Sequence, residues 1–102
     1  MSLKQEGSMD FWLKHPHRDW ATNDNGYRFG PFSYEGITCS AIKHPNRTIE
    51  ISVRGPFDRR FTFRYPMPQC DERGLHVAIT WKDDQVKLYL NGKHVGTQWV
   101  SP

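Results

Sequence analysis

The sequence contains no long apolar run. Nothing in it approaches the ~20 residues that a membrane-spanning helix needs. The opening MSLKQEGSM lacks the apolar middle of a signal peptide, which points to the cytoplasm unless a leader has been removed. Cysteine is scarce: Cys39 and Cys70 are the two present, too few for a disulfide scaffold. Cys39 falls in a strand-like run, Ile37 to Ile42, and reads as a small buried thiol; Cys70 falls in a loop, and a bridge between the two is the alternative. Helical periodicity is absent over any window of ~11 residues, which excludes helix-rich fold classes. Mean hydropathy is low, at -0.77, and hydrophobic residues make up 36% of the chain, little for a self-sufficient core. Six Phe, four Tyr and four Trp partly offset this, because each can bury a large area. The net charge of +3 is too small to argue for nucleic acid.

What is present is alternation. Leu75, Val77, Ile79 and Trp81 share one face, and His76, Ala78 and Thr80 the other. After Asp83-Asp84 the period of two resumes, with Val86, Leu88 and Leu90 inward and Lys87, Tyr89 and Asn91 outward. Asn91-Gly92 is a type I′ turn signal, and His94 to Val100 supplies a third strand of the meander. Upstream, strands are expected over Met9–His15, Tyr27–Tyr34, Gly36–Lys43, Arg47–Arg54 and Arg59–Tyr65, the second bent at Gly30-Pro31. Gly, Pro and Asn turns separate them, as in a sandwich or barrel. The expectation is an all-β antiparallel two-sheet sandwich of about eight short strands, jelly-roll-like. Residues 9–102 form its single domain, and residues 1–8 a disordered lead-in, native or vector-derived. Trp81 is expected in the core.

Val77-Ala78-Ile79-Thr80-Trp81, an acidic turn, then Leu88-Tyr89-Leu90-Asn91-Gly92-Lys93 resembles the central hairpin of laminin-G-like domains, within the concanavalin A-like lectin/glucanase jelly rolls. Phe11-Trp12-Leu13-Lys14 resembles an early strand of the same domains; together the two motifs cover about a third of the chain. The resemblance implies the two-sheet sandwich and leaves activity open, since that fold hosts lectins, glycosidases and adhesion modules. It also implies a strand before the Phe-Trp strand and a closing strand after the meander. The present sequence runs short of both, so an edge should stay open.

Few residues suggest chemistry. Retaining glycosidases of that fold carry paired carboxylates about 5–5.5 Å apart. The nearest match here, Glu50-Ile51-Ser52-Val53-Arg54, has serine where the second acid belongs, so Glu50 reads as a cross-strand partner for an arginine. His15, His17, His44, His76 and His94 are scattered and do not suggest zinc. Asn23-Asp24-Asn25 offers oxygen ligands for calcium, but such a run before glycine reads first as a turn. No metal and no cofactor are expected.

Binding is the better signal. Arg54, Arg60 and Arg64 share a face with Thr48, Ser52 and Thr62 if their strands pair, with Arg59 close by, and can grip carboxylates or sulfates of an acidic glycan. A solvated face that discourages aggregation is the plainer reading of the same residues. Trp12, Trp20 and Tyr89 lie off the main inward set and can stack on sugar faces, as can Trp99. The expected function is a non-enzymatic carbohydrate-binding module. The alternative is a structural or assembly protein whose sandwich is completed by a partner or a second copy. A homodimer is expected, with His94–Val100 as candidate edge; neither a membrane nor a nucleic acid is an expected partner.

Overall fold

The computed structural model describes residues 7–34, 36–54, 60–82 and 85–99. Eight strands follow one another: β1 (Gly7–Leu13), β2 (Tyr27–Tyr34), β3 (Ile37–Lys43), β4 (Thr48–Arg54), β5 (Phe61–Pro66), β6 (Leu75–Lys82), β7 (Gln85–Leu90) and β8 (Lys93–Trp99). They form two four-stranded sheets, β1-β6-β7-β8 and β2-β3-β4-β5, in which every pairing is antiparallel. The all-β sandwich expected from the alternation is therefore the observed fold, and the β6–β7 hairpin is central in its sheet.

Period-two patterning explains the layers. Leu75, Val77, Ile79 and Trp81 of β6, Val86, Leu88 and Leu90 of β7, and Ile49, Ile51 and Val53 of β4 are all buried in one core. Trp81 is in that core, as expected, with its indole over Gly7, where a Cβ would lie 2.6 Å from the ring. Asn91 (φ 52°) and Gly92 (φ 81°) make the left-handed turn their sequence calls for. Side chains close both flanks of the sandwich. Phe11 of β1 stacks on Phe32 of β2 with ring centroids 4.2 Å apart. On the other flank, Gln98 Nε2 of β8 donates to Thr62 O of β5 at 2.6 Å.

The structure differs from the sequence reading in two places. β1 begins at Gly7, so the lead-in expected over residues 1–8 loses its last two residues to the sheet; residues 1–6 lie outside the described residues. Trp20 is not available to a ligand: it is 4% exposed and packs edge-on against Phe29, centroids 5.1 Å apart, plugging one end of the core from the β1–β2 loop. Cys39 and Cys70 are free, the reading preferred over a bridge, with Cys39 Sγ pointing to Met9 Sδ at 3.6 Å. Burial pushes the Cys39 thiol up to about 12, and burial with the nearby Asp71 charge pushes Cys70 up to about 11, so both stay protonated at neutral pH.

The sequence reading leaves one buried lysine unplaced. Ile37, Cys39 and Ala41 carry the inward face of β3, and the next inward position is Lys43, 0% exposed. Its methylenes extend the apolar column. Its ammonium donates to Asn25 O at 2.6 Å, to Asn23 Oδ1 at 3.3 Å and to Asn23 O, and lies 5.6 Å from the Tyr27 ring centroid. Asn23 Oδ1, one of the oxygens weighed for calcium, thus faces Lys43, while the Asp24 carboxylate pairs with Arg47 at 3.5 Å.

Candidate functional site

The outer face of the β1-β6-β7-β8 sheet presents the residues that alternate away from the core. The register sets Trp12 opposite His76, and Asp10, Ala78, Tyr89 and His94 in one row across four strands. Trp12 is 46% exposed. His76 Nε2 lies 2.8 Å from Asp10 Oδ2, and the imidazole tilts at 46° against the indole with centroids 4.9 Å apart.

The β5–β6 loop adds the polar rim. Asp71 closes a tight turn by accepting Arg73 N at Oδ1 (2.8 Å), while Arg73 Nε and Nη2 both donate to Oδ2, at 3.1 and 2.9 Å. This pair holds the Asp71 carboxyl below the ordinary carboxylate range and raises Arg73, so both stay charged at neutral pH. The guanidinium so positioned lies 5.5 Å from the Trp12 ring centroid. Asn91 fastens the loop to the turn, because its Oδ1 accepts His76 N at 3.1 Å and its Nδ2 donates to Gln69 O at 3.0 Å. Gly74 (φ 99°) must be glycine, since a Cβ there would lie 2.2 Å from Leu13 O. The result is a groove of about 590 Å³ with an aromatic wall at Trp12 and polar groups from Asp71, Arg73, His76 and Asn91.

The six residues singled out in the sequence do not meet. Trp12 and Tyr89 share this face, one row apart, with Tyr89 leaning toward His94 at 5.3 Å between centroids. Trp20 is in the core. Arg54 and Arg64 lie on the opposite surface of the sandwich, outward on β4 and β5, and Arg60 is exposed just before β5. There the register builds rows: Thr38 opposite Arg54; Ser40, Ser52 and Thr62 in line; Ile42, Glu50 and Arg64 in line. Arg60 precedes Phe61, the partner of Val53, and so stands at the same end as Arg54. Arg64 is not free, because its Nε donates to Glu50 Oε1 at 2.6 Å. Among the described residues neither Arg54 nor Arg60 meets a carboxylate; Arg59 lies outside them.

Glu50 is the cross-strand partner the sequence suggested. Partial burial pushes its carboxyl up, but hydrogen bonds from Arg64 and His44, with their charges, more than reverse this and leave it below its ordinary value of 4.5. His15 and His17 stack on each other at 5.5 Å, and no cluster of three or more His, Cys, Asp or Glu able to hold a metal occurs among the described residues.

Sequence reasoning missed Asp71, Arg73 and Asn91 as groove residues. Asn91 was legible only as a turn former. Asp71-Glu72-Arg73-Gly74 carries the spacing of an Asx turn ending on a glycine, which signals the turn but not the indole it faces. No family model, curated protein or solved structure matches the chain.

Proposed function

We propose that this protein is a non-enzymatic carbohydrate-binding module, and that the Trp12 groove is its saccharide site. One observation carries the reading: a half-exposed indole is ringed by hydrogen-bonding groups already held in place, Asp10 with His76 on one side and Asp71 with Arg73 on the other. Sugars need this combination, an apolar ring to stack on and fixed polar groups to read hydroxyls. Arg73 is paired with Asp71 rather than left free for an acidic sugar, so the groove suits a neutral saccharide. The resemblance to concanavalin A-like and laminin-G-like sandwiches favours the same class of ligand. The non-enzymatic part rests on Glu50, whose carboxylate is bound by Arg64 and held ionised, a poor state for a general acid.

A second reading has its own support. Arg54 and Arg60, beside the hydroxyl row Ser40-Ser52-Thr62, suit the carboxylates or sulfates of an acidic glycan. A panel of immobilised neutral and acidic glycans separates the two. The groove reading expects neutral-glycan binding that is lost in Trp12→Ala and kept in Arg54→Ala plus Arg60→Ala. Binding confined to acidic glycans, lost in the arginine variant and weakened by salt, transfers the function to the opposite face. No binding to any member leaves assembly, the other role considered for this sandwich, as the better account.

A further inference from the structure

Four strands lie at sheet edges: β1 and β8 in one sheet, β2 and β5 in the other. Three of them carry devices that discourage strand addition. β2 is interrupted by a register shift between Phe29 and Phe32, and Pro31 there has no N–H to offer. β5 and β8 are tied across the sandwich: Gln98 occupies Thr62 O, and the Tyr65 hydroxyl fills the space beside Gly96, 2.0 Å from where a Cβ would be. The edge expected to be open in the sequence, β8, is thus joined to the other sheet.

β1 is tied to β2 by the Phe11–Phe32 ring stack, yet among the described residues no side chain takes up its edge backbone groups as Gln98 does on β5. The β1 sequence, GSMDFWL, contains no proline and no lysine, and its register with β6 is unbroken from Gly7 to Leu13. Its one charge, Asp10, is turned to His76 on the outer face. A groove of about 480 Å³ runs beside it, lined by Met9, Phe11, Phe32 and the half-exposed Tyr34.

We propose that β1 pairs antiparallel with β1 of a second copy, merging two sheets into one, and that the partner completes the Trp12 groove. A two-fold axis through such a pair sets one residue opposite its own copy and keeps outer faces outward. Centred on Asp10, the pairing opposes two carboxylates, which is unfavourable. Centred on Met9, it sets Ser8 against the partner's Asp10. Centred on Phe11, it sets Trp12 against the partner's Asp10 and Ser8 against the partner's Lys14. The Phe11-centred register has the complementary charges: Arg73, already over the Trp12 ring, then faces the partner's Asp10. The strand complements itself, which is the reason for a second copy of this chain rather than an unrelated extended peptide. The pairing stands independently of what the groove binds.

Light scattering across micromolar concentrations tests it. The wild type should approach twice 12.0 kDa, and the amides of β1 should gain exchange protection as concentration rises. Ser8 is exposed, so its variants should fold. Ser8→Lys opposes two lysine pairs across the seam and should weaken the dimer roughly tenfold; Ser8→Glu should strengthen it by a similar factor. A mass of 12.0 kDa at every concentration overturns the pairing. So does a dimer that ignores Ser8→Lys but dissociates on Gln98→Ala, which belongs to the β8 edge. Weakening by Ser8→Glu overturns the Phe11-centred register, and with it the completed groove.

Discussion

Lys43 Nζ donates to Asn25 O at 2.6 Å, so the innermost charge of the sandwich is also the clasp of its longest described loop. The loop between β1 and β2 delivers Trp20 into the core, and the ammonium holds its far end through the Asn23 and Asn25 carbonyls.

Lys43→Met keeps the methylene column and removes the clasp. Two carbonyls then lose their donor, and the variant should be less stable by about 1–3 kcal/mol in urea unfolding. Amides of residues 20–26 should exchange faster. An unchanged midpoint with unchanged exchange would mean the ammonium contributes nothing to holding the loop.

Gly96 and Tyr65 form a second tight contact. A Cβ at position 96 would meet the Tyr65 hydroxyl at 2.0 Å and its ring carbon at 2.9 Å. Gly96→Ala should cost roughly 1–3 kcal/mol by overpacking. Adding Tyr65→Phe removes the nearer atom and should restore part of the loss, giving a favourable coupling in a double-mutant cycle. Strict additivity would place the clash elsewhere.

Glu50 contributes to the acid limb of stability. Its carboxyl lies below 4.5 in the folded chain, so its contribution is fully present above its unfolded value and is lost as pH falls through the folded one. Unfolding free energy of the wild type should fall more steeply than that of Glu50→Gln as pH drops from neutrality into that acid range. Parallel curves would mean that Arg64 and His44 do not stabilise the charge.

Hydrogen exchange reports the frame itself. Amides of Val77–Thr80 and Lys87–Tyr89, in the two inner strands of their sheet, should be the slowest to exchange. Trp81→Ala in the same hairpin should cost about 3–5 kcal/mol. Fast exchange through the hairpin would contradict the assigned strand order.

The strands were legible because alternation fixes both their period and their faces. β6, β7 and β4 match it residue for residue, and Asn91-Gly92 declares its turn. Lys43 was illegible because composition places an isoleucine inside and a lysine outside. The register does the opposite, because Lys43 follows Ala41 on the inward face and finds carbonyls for its charge. Trp20 was unreadable because it enters the core from a loop, where no period marks an inward side. The Arg54 and Arg64 face could be read from two paired strands alone. That it lies across the core from Trp12 depends on which strands share a sheet, and local patterning carries no such information.

The saccharide reading of the Trp12 groove meets its most direct test in an NMR titration of the labelled protein with neutral oligosaccharides. The indole N–H of Trp12 and the amides of Asn91 and Gly92 should shift in a saturable way, while the buried indoles of Trp20 and Trp81 stay unmoved. Shifts confined to Arg54, Arg60 and their hydroxyl row, or no shift at any concentration, would contradict it.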